Sequence, residues 1–182
     1  MNKLIILDRD GVINKDSKNY IRSVNEWIPI PGSIEAIARL YKAGYTIAIA
    51  TNQSGLARGY FSEAELQSMH NKFLLLVEKS GGKVAAIKYC PHHPDQNCNC
   101  RKPKPGMLIE IINELGAQAE TTWMVGDSFK DLQAGRLAGC KTALVKTGNG
   151  TITLAAKRKE LDKTPVFENL SMFCDQLLSA GY

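Results

Sequence analysis

The stretch that decides the fold is Lys3-Leu4-Ile5-Ile6-Leu7-Asp8-Arg9-Asp10-Gly11-Val12-Ile13-Asn14, in a chain of 182 residues. Four consecutive apolar residues, Leu4 to Leu7, are typical of a strand that is buried on both faces of a parallel sheet. Two carboxylates, Asp8 and Asp10, follow at once. Ligands of open parallel sheets bind beyond the carboxyl ends of the strands, so these side chains lie where chemistry is expected. Taken alone, Asp-x-Asp-Gly is a weak signal that favours an ordinary turn.

The composition is that of one ordinary globular domain. Apolar residues make up 44% of the chain and charged residues 23%, so we expect a single domain over residues 1–182. No run approaches the ~18 apolar residues of a membrane helix, and Met1-Asn2-Lys3 leads directly into the first strand without room for a signal peptide. We therefore expect a cytoplasmic protein without membrane contact. The net charge of +5 is compatible with anionic substrates, with nucleic acid or with neither.

Buried strands alternate with amphipathic helices along the chain. The strands are predicted at residues 4–7, 45–50, 83–89, 121–125 and 141–145. The helices are predicted at residues 34–41, 62–79, 108–115, 128–139, 152–160 and 170–177. Residues 90–105 carry no periodicity and are predicted to be irregular. This alternation predicts an α/β fold with a doubly wound parallel sheet, covered by helices on both faces.

Polar residues follow three of the predicted strands. Asp8 and Asp10 end the first, Thr51-Asn52 ends the second and Asp127 ends the fourth. The fold should bring all of them to one edge of the sheet, because parallel strands end on the same side. Carboxylates this close repel each other, and they ionise comfortably only beside a cation such as Mg²⁺.

A second group of candidate ligands lies in the irregular segment, which we call the zinc loop (residues 90–103). Its candidate ligands, at C-x-H-x₅-C-x-C spacing, are Cys90, His92, Cys98 and Cys100. Three thiols and one imidazole suit a closed, tetrahedral Zn²⁺ site of the structural type. Free thiols are the alternative, but free Cys is usually a core residue and this loop has no apolar pattern. The metal would order the loop and so aim Arg101 and Lys102.

Three further residues of metal-binding type have simpler interpretations. Cys140 and Cys174 lie on apolar faces, so we expect both in the core. His70 lies within a predicted helix, and we expect it at the surface. In a reducing compartment, five cysteines do not indicate a disulfide framework.

Read in order, these motifs resemble the haloacid dehalogenase superfamily of phosphohydrolases. The matching segments are Asp8-x-Asp10-Gly11, the strand ending in Thr51-Asn52, Lys102 before a helix, and Gly126-Asp127-x-x-x-Asp131. The resemblance spans residues 8–131. It implies a Rossmann-like sheet without a large cap domain, and phosphoryl transfer through an aspartyl-phosphate.

The resemblance also implies roles for the residues at the strand ends. Asp8 would attack phosphorus as the nucleophile. Asp10 would protonate the leaving group and then deprotonate water. Mg²⁺, held by Asp8, Asp10 and Asp127, would neutralise charge on the phosphoryl oxygens together with Lys102. The Thr51 hydroxyl would donate a hydrogen bond to the same group.

The zinc loop narrows the resemblance to two groups, the D-glycero-D-manno-heptose 1,7-bisphosphate 7-phosphatases and the histidinol-phosphate phosphatases. Residues 51–59 and 101–108 are more similar to the heptose group, whereas the short loop before Cys98 is shared with the histidinol group. The heptose group would remove the 7-phosphate during synthesis of nucleotide-activated heptose for lipopolysaccharide. That group often has a basic residue at the position of Ser128, so a contact from Ser128 or from nearby Lys130 stays open.

Substrate contacts implied by the resemblance fall on three segments. They are Asp16, Asn19 and Tyr20; Thr51, Asn52, Gln53 and Ser54; and Arg101 with Lys102. The forked guanidinium of Arg101 suits a second phosphate. A sugar bisphosphate offers a second phosphate and histidinol phosphate does not, so the small-molecule partner expected here is a sugar bisphosphate. A monomer is the expected state.

Two readings that involve nucleic acid remain as alternatives. A nucleic-acid-binding zinc module would use the zinc loop and the basic residues 101–104. However, no aromatic residues are interleaved with the basic ones, and a net charge of +5 is too small to indicate a nucleic-acid-binding surface. We therefore expect no nucleic-acid partner. A nucleic-acid 3′-phosphatase is the second alternative, because the run Thr-Asn-Gln after a strand also resembles that group. A zinc loop is not expected in those enzymes.

Overall fold

A six-stranded parallel sheet forms the centre of the computed structural model, which describes residues 3–180. The strands are β1 (Lys3–Leu7), β2 (Tyr45–Asn52), β3 (Ala86–Cys90), β4 (Trp123–Gly126), β5 (Lys141–Val145) and β6 (Val166–Phe167). Their order is β3-β2-β1-β4-β5-β6, and every neighbouring pair is parallel. The chain direction across the sheet reverses at the central strand β1, which lies between β2 and β4. A ligand crevice is therefore expected at the carboxyl end of β1.

Helices cover both faces of the sheet. They are α1 (Ser33–Lys42), α2 (Glu63–Lys79), α3 (Gly106–Glu114), α4 (Phe129–Leu137), α5 (Gly150–Ala156) and α6 (Leu170–Ser179). The pleat of β1 separates two hydrophobic cores, because successive side chains of a strand point to opposite faces. Ile5 and Leu7 belong to the core with α1, α2 and α6. Leu4 and Ile6 belong to the core with α3 and α4. The predicted doubly wound α/β fold is confirmed.

Every predicted helix and strand occurs, but several of them begin or end at other residues than predicted. β3 begins at Ala86 and not at residue 83, and β4 begins at Trp123 because Ala119–Thr121 forms a 3₁₀ turn. The tail helix covers Gly150–Ala156 and not residues 152–160. The sequence pattern missed β6, since two residues are too few to show a periodicity.

Local side-chain bonds explain where two helices begin. The Ser62 hydroxyl accepts a hydrogen bond from the Glu65 main-chain nitrogen (3.2 Å), which starts α2. The Asp131 carboxylate accepts from the main-chain nitrogen and the hydroxyl of Ser128 (3.0 and 2.7 Å), which starts α4. Cys140 and Cys174 are buried as predicted. None of the helices within residues 3–180 has both the length and the apolar character needed to span a bilayer.

Candidate active site

The carboxyl ends of β1 and β4 bring three acidic side chains together. Asp8 directly follows β1, and its main-chain nitrogen donates to the Val125 carbonyl of β4 (3.0 Å). Carboxylate oxygens of Asp8, Asp127 and Asp131 lie within 4.8 Å of one another, and we call these residues the carboxylate cluster. Three oxygen donors at this spacing fit a hard divalent cation such as Mg²⁺.

Two glycines give Asp127 the room it occupies. Gly11 and Gly148 both have positive φ (86° and 57°), which favours glycine. A Cβ on either residue would also overlap the Asp127 carboxylate. The Asn149 main-chain nitrogen donates to Asp127 Oδ2 (2.7 Å), a contact that the sequence pattern did not indicate. The turn Gly148-Asn149 therefore helps to hold this carboxylate in place.

Lys102 neutralises part of the carboxylate cluster. Its Nζ lies 2.9 Å from Asp8 Oδ1 and 2.7 Å from Asp131 Oδ1, and it donates to the Ala50 carbonyl (2.7 Å). The side chain is only 2% exposed. The Asn52 side chain fixes the main chain of Lys102, since it accepts from the Lys102 nitrogen and donates to the Lys102 carbonyl (both 3.0 Å). Asn52 thus positions Lys102, and its predicted substrate contact stays a prediction.

Burial and mutual repulsion make the cluster a site that favours a cation. Burial, and then the Asp131 charge, raise the pKa of Asp8 to about 7. Burial, with the charges of Asp131 and Asp8, raises the pKa of Asp127 to about 8. The pKa of Lys102 lies above its ordinary value, because its two carboxylate partners outweigh its burial. The one ammonium group contacts two of the three acidic side chains, Asp8 and Asp131. A divalent cation would supply the missing positive charge.

Asp10 has a different environment from Asp8. Its carboxylate accepts from the side chains of Asn14 (2.8 Å) and Gln53 (2.9 Å), and forms an ion pair with Arg9 (3.0 Å). Against its burial, the Arg9 charge and these hydrogen bonds hold the pKa of Asp10 below its usual range. Asp131, and not the Asp10 carboxylate, completes the trio of nearby oxygens with Asp8 and Asp127. The predicted role of Asp10 as a magnesium ligand stays a prediction.

The carboxylate cluster and Asp10 line a cleft of ≈ 520 Å³. The predicted substrate residues that line it are Asp16, Tyr20, Thr51, Asn52, Gln53, Ser54, Arg101 and Lys102. Asn19 lies beside a neighbouring cleft. Ser17 and Lys18, which belong to the predicted substrate loop 16–20, line it as well. Lining residues that the sequence pattern did not indicate are Ile21, Phe129 and Asn149. Lys130, which was left open, lines it too, as does Ser128. The predicted residues therefore converge, with Asn19 as the exception.

Two polar side chains keep unused donors at the cleft. The Thr51 hydroxyl accepts from Gln53 (2.9 Å), so its own hydrogen is available to donate. In Arg101, the Nη1 atom is buried and has no hydrogen-bond partner among residues 3–180. A buried donor without a partner costs free energy, and an anionic ligand would satisfy it. Arg101 is thus suited to bind an anion.

Cys90, His92, Cys98 and Cys100 converge as a second group, which we call the thiol cluster. Cys90 Sγ lies 3.5 Å from Cys98 Sγ and 3.6 Å from His92 Nδ1. Cys100 Sγ lies 3.2 Å from His92 Nδ1 and 3.4 Å from Cys98 Sγ. Ligands around a tetrahedral Zn²⁺ at ~2.3 Å stand roughly 3.7 Å apart. The four residues fit that ion with little adjustment.

The prediction that His70 lies at the surface is wrong. It is only 4% exposed, because its helix turns this side chain inward toward Arg9. Its Nε2 lies 3.4 Å from Arg9 Nη1. Burial, and then the Arg9 charge, lower the pKa of His70 to about 4, so the imidazole is neutral near pH 7. The sequence offered no sign of the contact, since the two residues are 61 positions apart.

Comparisons with known proteins agree with this geometry. The HAD-hydrolase-like family model matches residues 99–173. The chain is 54% identical over 175 residues to the D-glycero-beta-D-manno-heptose-1,7-bisphosphate 7-phosphatase of Pseudomonas aeruginosa, covering 96% of this chain and 97% of the relative. It is 52% identical over 177 residues to the enzyme of that name from Neisseria meningitidis serogroup A, covering 97% and 95%.

Solved structures give the same result at the level of coordinates. The chain superposes with a TM-score of 0.94 on D,D-heptose 1,7-bisphosphate phosphatase from B. bronchiseptica, crystallised with magnesium and phosphate. The two are 49% identical, with 98% of this chain and 99% of that chain covered. The corresponding phosphatase from Burkholderia Thailandensis is 38% identical, with a TM-score of 0.75 and coverages of 98% and 99%.

Proposed function

The chain belongs to the haloacid dehalogenase-like phosphohydrolases, as a phosphoric monoester hydrolase of the heptose 1,7-bisphosphate phosphatase family, and from this membership we propose its substrate and mechanism. The substrate is D-glycero-D-manno-heptose 1,7-bisphosphate, and the bond broken is that of the 7-phosphate. The enzyme works as a cytoplasmic monomer, on a small molecule and without nucleic acid or membrane. Its product leads to nucleotide-activated heptose.

The observation that carries this proposal is the arrangement of two consecutive cations in one cleft. Lys102 Nζ is 2.9 Å from Asp8, so it belongs with the phosphate that is attacked. Arg101 lines the same cleft with a buried, unpartnered guanidinium nitrogen, which is free for a second phosphate. A substrate with two phosphates satisfies both residues. A substrate with one phosphate leaves one of them without an anion.

The reaction follows from the positions of Asp8 and Asp10. Asp10 is ionised in the free enzyme, so it takes up a proton when the negatively charged phosphate binds beside it. An Asp8 oxygen bonds to phosphorus while the bond between phosphorus and the sugar oxygen breaks, and Asp10 gives that proton to the sugar oxygen. Water then attacks phosphorus in the aspartyl-phosphate, Asp10 takes the proton of this water, and the Asp8 carboxylate leaves. Throughout, Lys102 and the Thr51 hydroxyl interact with the oxygens of the transferring group.

Two metal ions have residues that fit them. Asp8 and Asp127, with Asp10 as the third predicted ligand, would hold Mg²⁺, which when bound neutralises charge on the phosphoryl oxygens. Asp131 forms an ion pair with Lys102 and accepts a hydrogen bond from Ser128, so it would orient Lys102 beside the metal. Zn²⁺ would take the four ligands of the thiol cluster and have a structural role, because no coordination position is left for water.

Phosphate release from a substrate panel tests the proposal. The panel contains heptose 1,7-bisphosphate, histidinol phosphate and a 3′-phosphorylated oligonucleotide, each assayed with Mg²⁺. We expect the bisphosphate to have the highest kcat/KM and its 1-phosphate to remain on the product. Preference for histidinol phosphate or for the oligonucleotide would overturn the proposed substrate. Full activity in the presence of a chelator of Mg²⁺ would overturn the magnesium requirement.

A further inference from the structure

Arg9 stands between the two catalytic carboxylates in the sequence, yet it does not line the cleft. Its side chain is 1% exposed. A guanidinium is costly to bury unless a well-placed partner compensates its charge. Since Arg9 itself does not line the cleft, any effect on the reaction must pass through the residues that it contacts.

The main partner is the Asp10 carboxylate. Arg9 Nη2 lies 3.0 Å from Asp10 Oδ1 and 3.1 Å from Oδ2, and Arg9 Nε lies 3.2 Å from Oδ1. Three contacts from a planar, rigid fork define the orientation of a carboxylate better than a point charge does. The neutral donors Asn14 and Gln53 complete the contacts to the same group.

His70 supports the guanidinium from the other side. Arg9 Nη1 lies 3.4 Å from His70 Nε2, and both side chains are buried. Arginine is always protonated, so the imidazole nitrogen that faces it must be the acceptor, and the ring must be neutral. The neutral state of His70 described above is what this contact requires. A chain of contacts therefore runs from α2 through Arg9 to Asp10.

We propose that Arg9, held in place by His70, is a positioning residue that orients the Asp10 carboxylate for proton transfer to and from the reacting oxygens. The inference rests on the proposed role of Asp10 as the acid and base of the reaction. If Arg9 is lost, Asn14 and Gln53 still bind Asp10. They bind one oxygen each and are uncharged, so they hold the carboxylate less firmly than the three contacts from the guanidinium do. We therefore expect proton transfer to slow while attack by Asp8 remains possible.

The test compares leaving groups, because a general acid matters only when the leaving oxygen needs a proton. The substrates are heptose 1,7-bisphosphate, which releases an alkoxide, and p-nitrophenyl phosphate, which releases a stable phenolate. For Arg9→Met we expect kcat/KM to fall about 10- to 100-fold on the first and less than about threefold on the second. The expected loss is smaller than the ~10²–10⁴-fold of general acid–base catalysis, because Asp10 itself remains. Arg9→Lys should recover part of the loss.

His70 gives a matched pair that keeps the test valid if Arg9→Met folds poorly. The Gln oxygen in His70→Gln can accept from Arg9, whereas His70→Leu removes the acceptor at similar volume. We expect His70→Leu to show the same dependence on the leaving group in weaker form, and His70→Gln to lose much less. Equal losses on both substrates in Arg9→Met and in His70→Leu, or no loss, would overturn the inference.

Asp10→Asn separates this inference from the proposed function. We expect this variant to lose far more on the bisphosphate than on p-nitrophenyl phosphate, and Arg9→Met to follow it in kind. If Asp10→Asn shows no such dependence, the proposed role of Asp10 is wrong and the inference falls with it. If Asp10→Asn behaves as expected and Arg9→Met does not, the positioning role alone is wrong.

Discussion

The carboxylate cluster and the thiol cluster both lie at the carboxyl edge of the sheet, but they are stabilised differently. Asp8 and Asp127 follow buried strands, and the ammonium of Lys102 already offsets part of their repulsion. In the thiol cluster, Cys90 is the last residue of β3 and the first of the zinc loop. The other three ligands lie further along this loop, and residues 91–103 contain no regular element beyond a 3₁₀ turn at Pro94–Gln96. The first cluster is organised by the fold, whereas we expect the second to need a metal ion to order its loop.

This difference indicates that the two clusters have different roles: the carboxylate cluster suits catalysis, and the thiol cluster suits structural support. Oxygen ligands at an open cleft suit a cation that meets substrate, and a closed set of sulfur and nitrogen ligands suits a structural ion. Lys102 links the two regions, since it lies two residues beyond Cys100 and is also bound by Asn52 of β2. Loss of the structural ion should therefore weaken catalysis without abolishing it.

The largest effect is expected from Asp8→Asn. An amide cannot form the acyl phosphate, so kcat should fall by at least about 10⁴-fold, the scale for removal of a covalent nucleophile. The fold should persist, because burial and repulsion already disfavour the charged form of Asp8. Phosphate release and thermal melting measure the two effects. Activity close to that of the unaltered enzyme would place the chemistry outside the carboxylate cluster.

Cys98→Ala tests the supporting role of the thiol cluster. Three remaining ligands should bind Zn²⁺ poorly, and elemental analysis should fall from about one Zn²⁺ per chain to near none. Activity should drop roughly tenfold to a hundredfold, because a misplacement of Lys102 and Arg101 by about 1 Å is costly. Cys174→Ala is the matched control, since it removes a buried thiol of the core and should keep the metal. A zinc-free Cys98→Ala enzyme with full activity would contradict the account.

Arg101→Ala tests how the cleft reads a second phosphate. A charged hydrogen bond contributes about 1.5–3 kcal/mol, so kcat/KM for the bisphosphate should fall about ten- to a hundredfold. The loss on a simple monophosphate should be much smaller. Arg58→Ala serves as the control, because Arg58 is exposed and does not line the cleft. Equal losses on both substrates would mean that Arg101 acts on the transferring group.

The smallest effect is a change of stability with pH in protein that holds zinc but no Mg²⁺. Asp8 and Asp127 keep protons up to about pH 7 and 8 in the folded state, whereas unfolded carboxyls lose them near ~4. Between those pKa values the folded state binds more protons, so its stability should fall as the pH rises from about 4 to about 8 and then level off. Between about pH 4 and pH 6.5 the neutral burial of His70 acts in the opposite direction, so the fall is steepest between about pH 6.5 and pH 7.

Added Mg²⁺ provides the readout for this pH effect. Because Mg²⁺ replaces protons at the carboxylate cluster, it should raise the melting temperature more at pH 8.5 than at pH 6.5, by a few degrees. Asp8→Asn should reduce that difference. The same rise at both pH values, in both proteins, would show that the carboxylates are ionised throughout and that their raised pKa values are wrong.

The sequence predicted what depends on spacing along the chain. The run from Leu4 to Asp10 and the spacing of the zinc loop are local, so the fold and the four convergent thiol-cluster residues could be predicted. The contacts of Asn52, Asn149 and His70 join segments far apart in the chain, and no local pattern encodes such contacts. His70 shows the limit most clearly, because a polar residue on a helix is usually exposed and only the burial of Arg9 gives it an inward partner.

The central claim is that the chemistry occurs at Asp8 and that the thiol cluster supports it. Its most direct test is a crystal structure of the protein with Mg²⁺ and fluoroberyllate, a mimic of a phosphoryl group, with anomalous data collected at the zinc edge. The account predicts fluoroberyllate bonded to an Asp8 oxygen, with its fluorines facing Lys102 and Mg²⁺, and one zinc peak between Cys90, His92, Cys98 and Cys100. Fluoroberyllate bonded elsewhere, or zinc found at the carboxylate cluster with none at the thiol cluster, would contradict it.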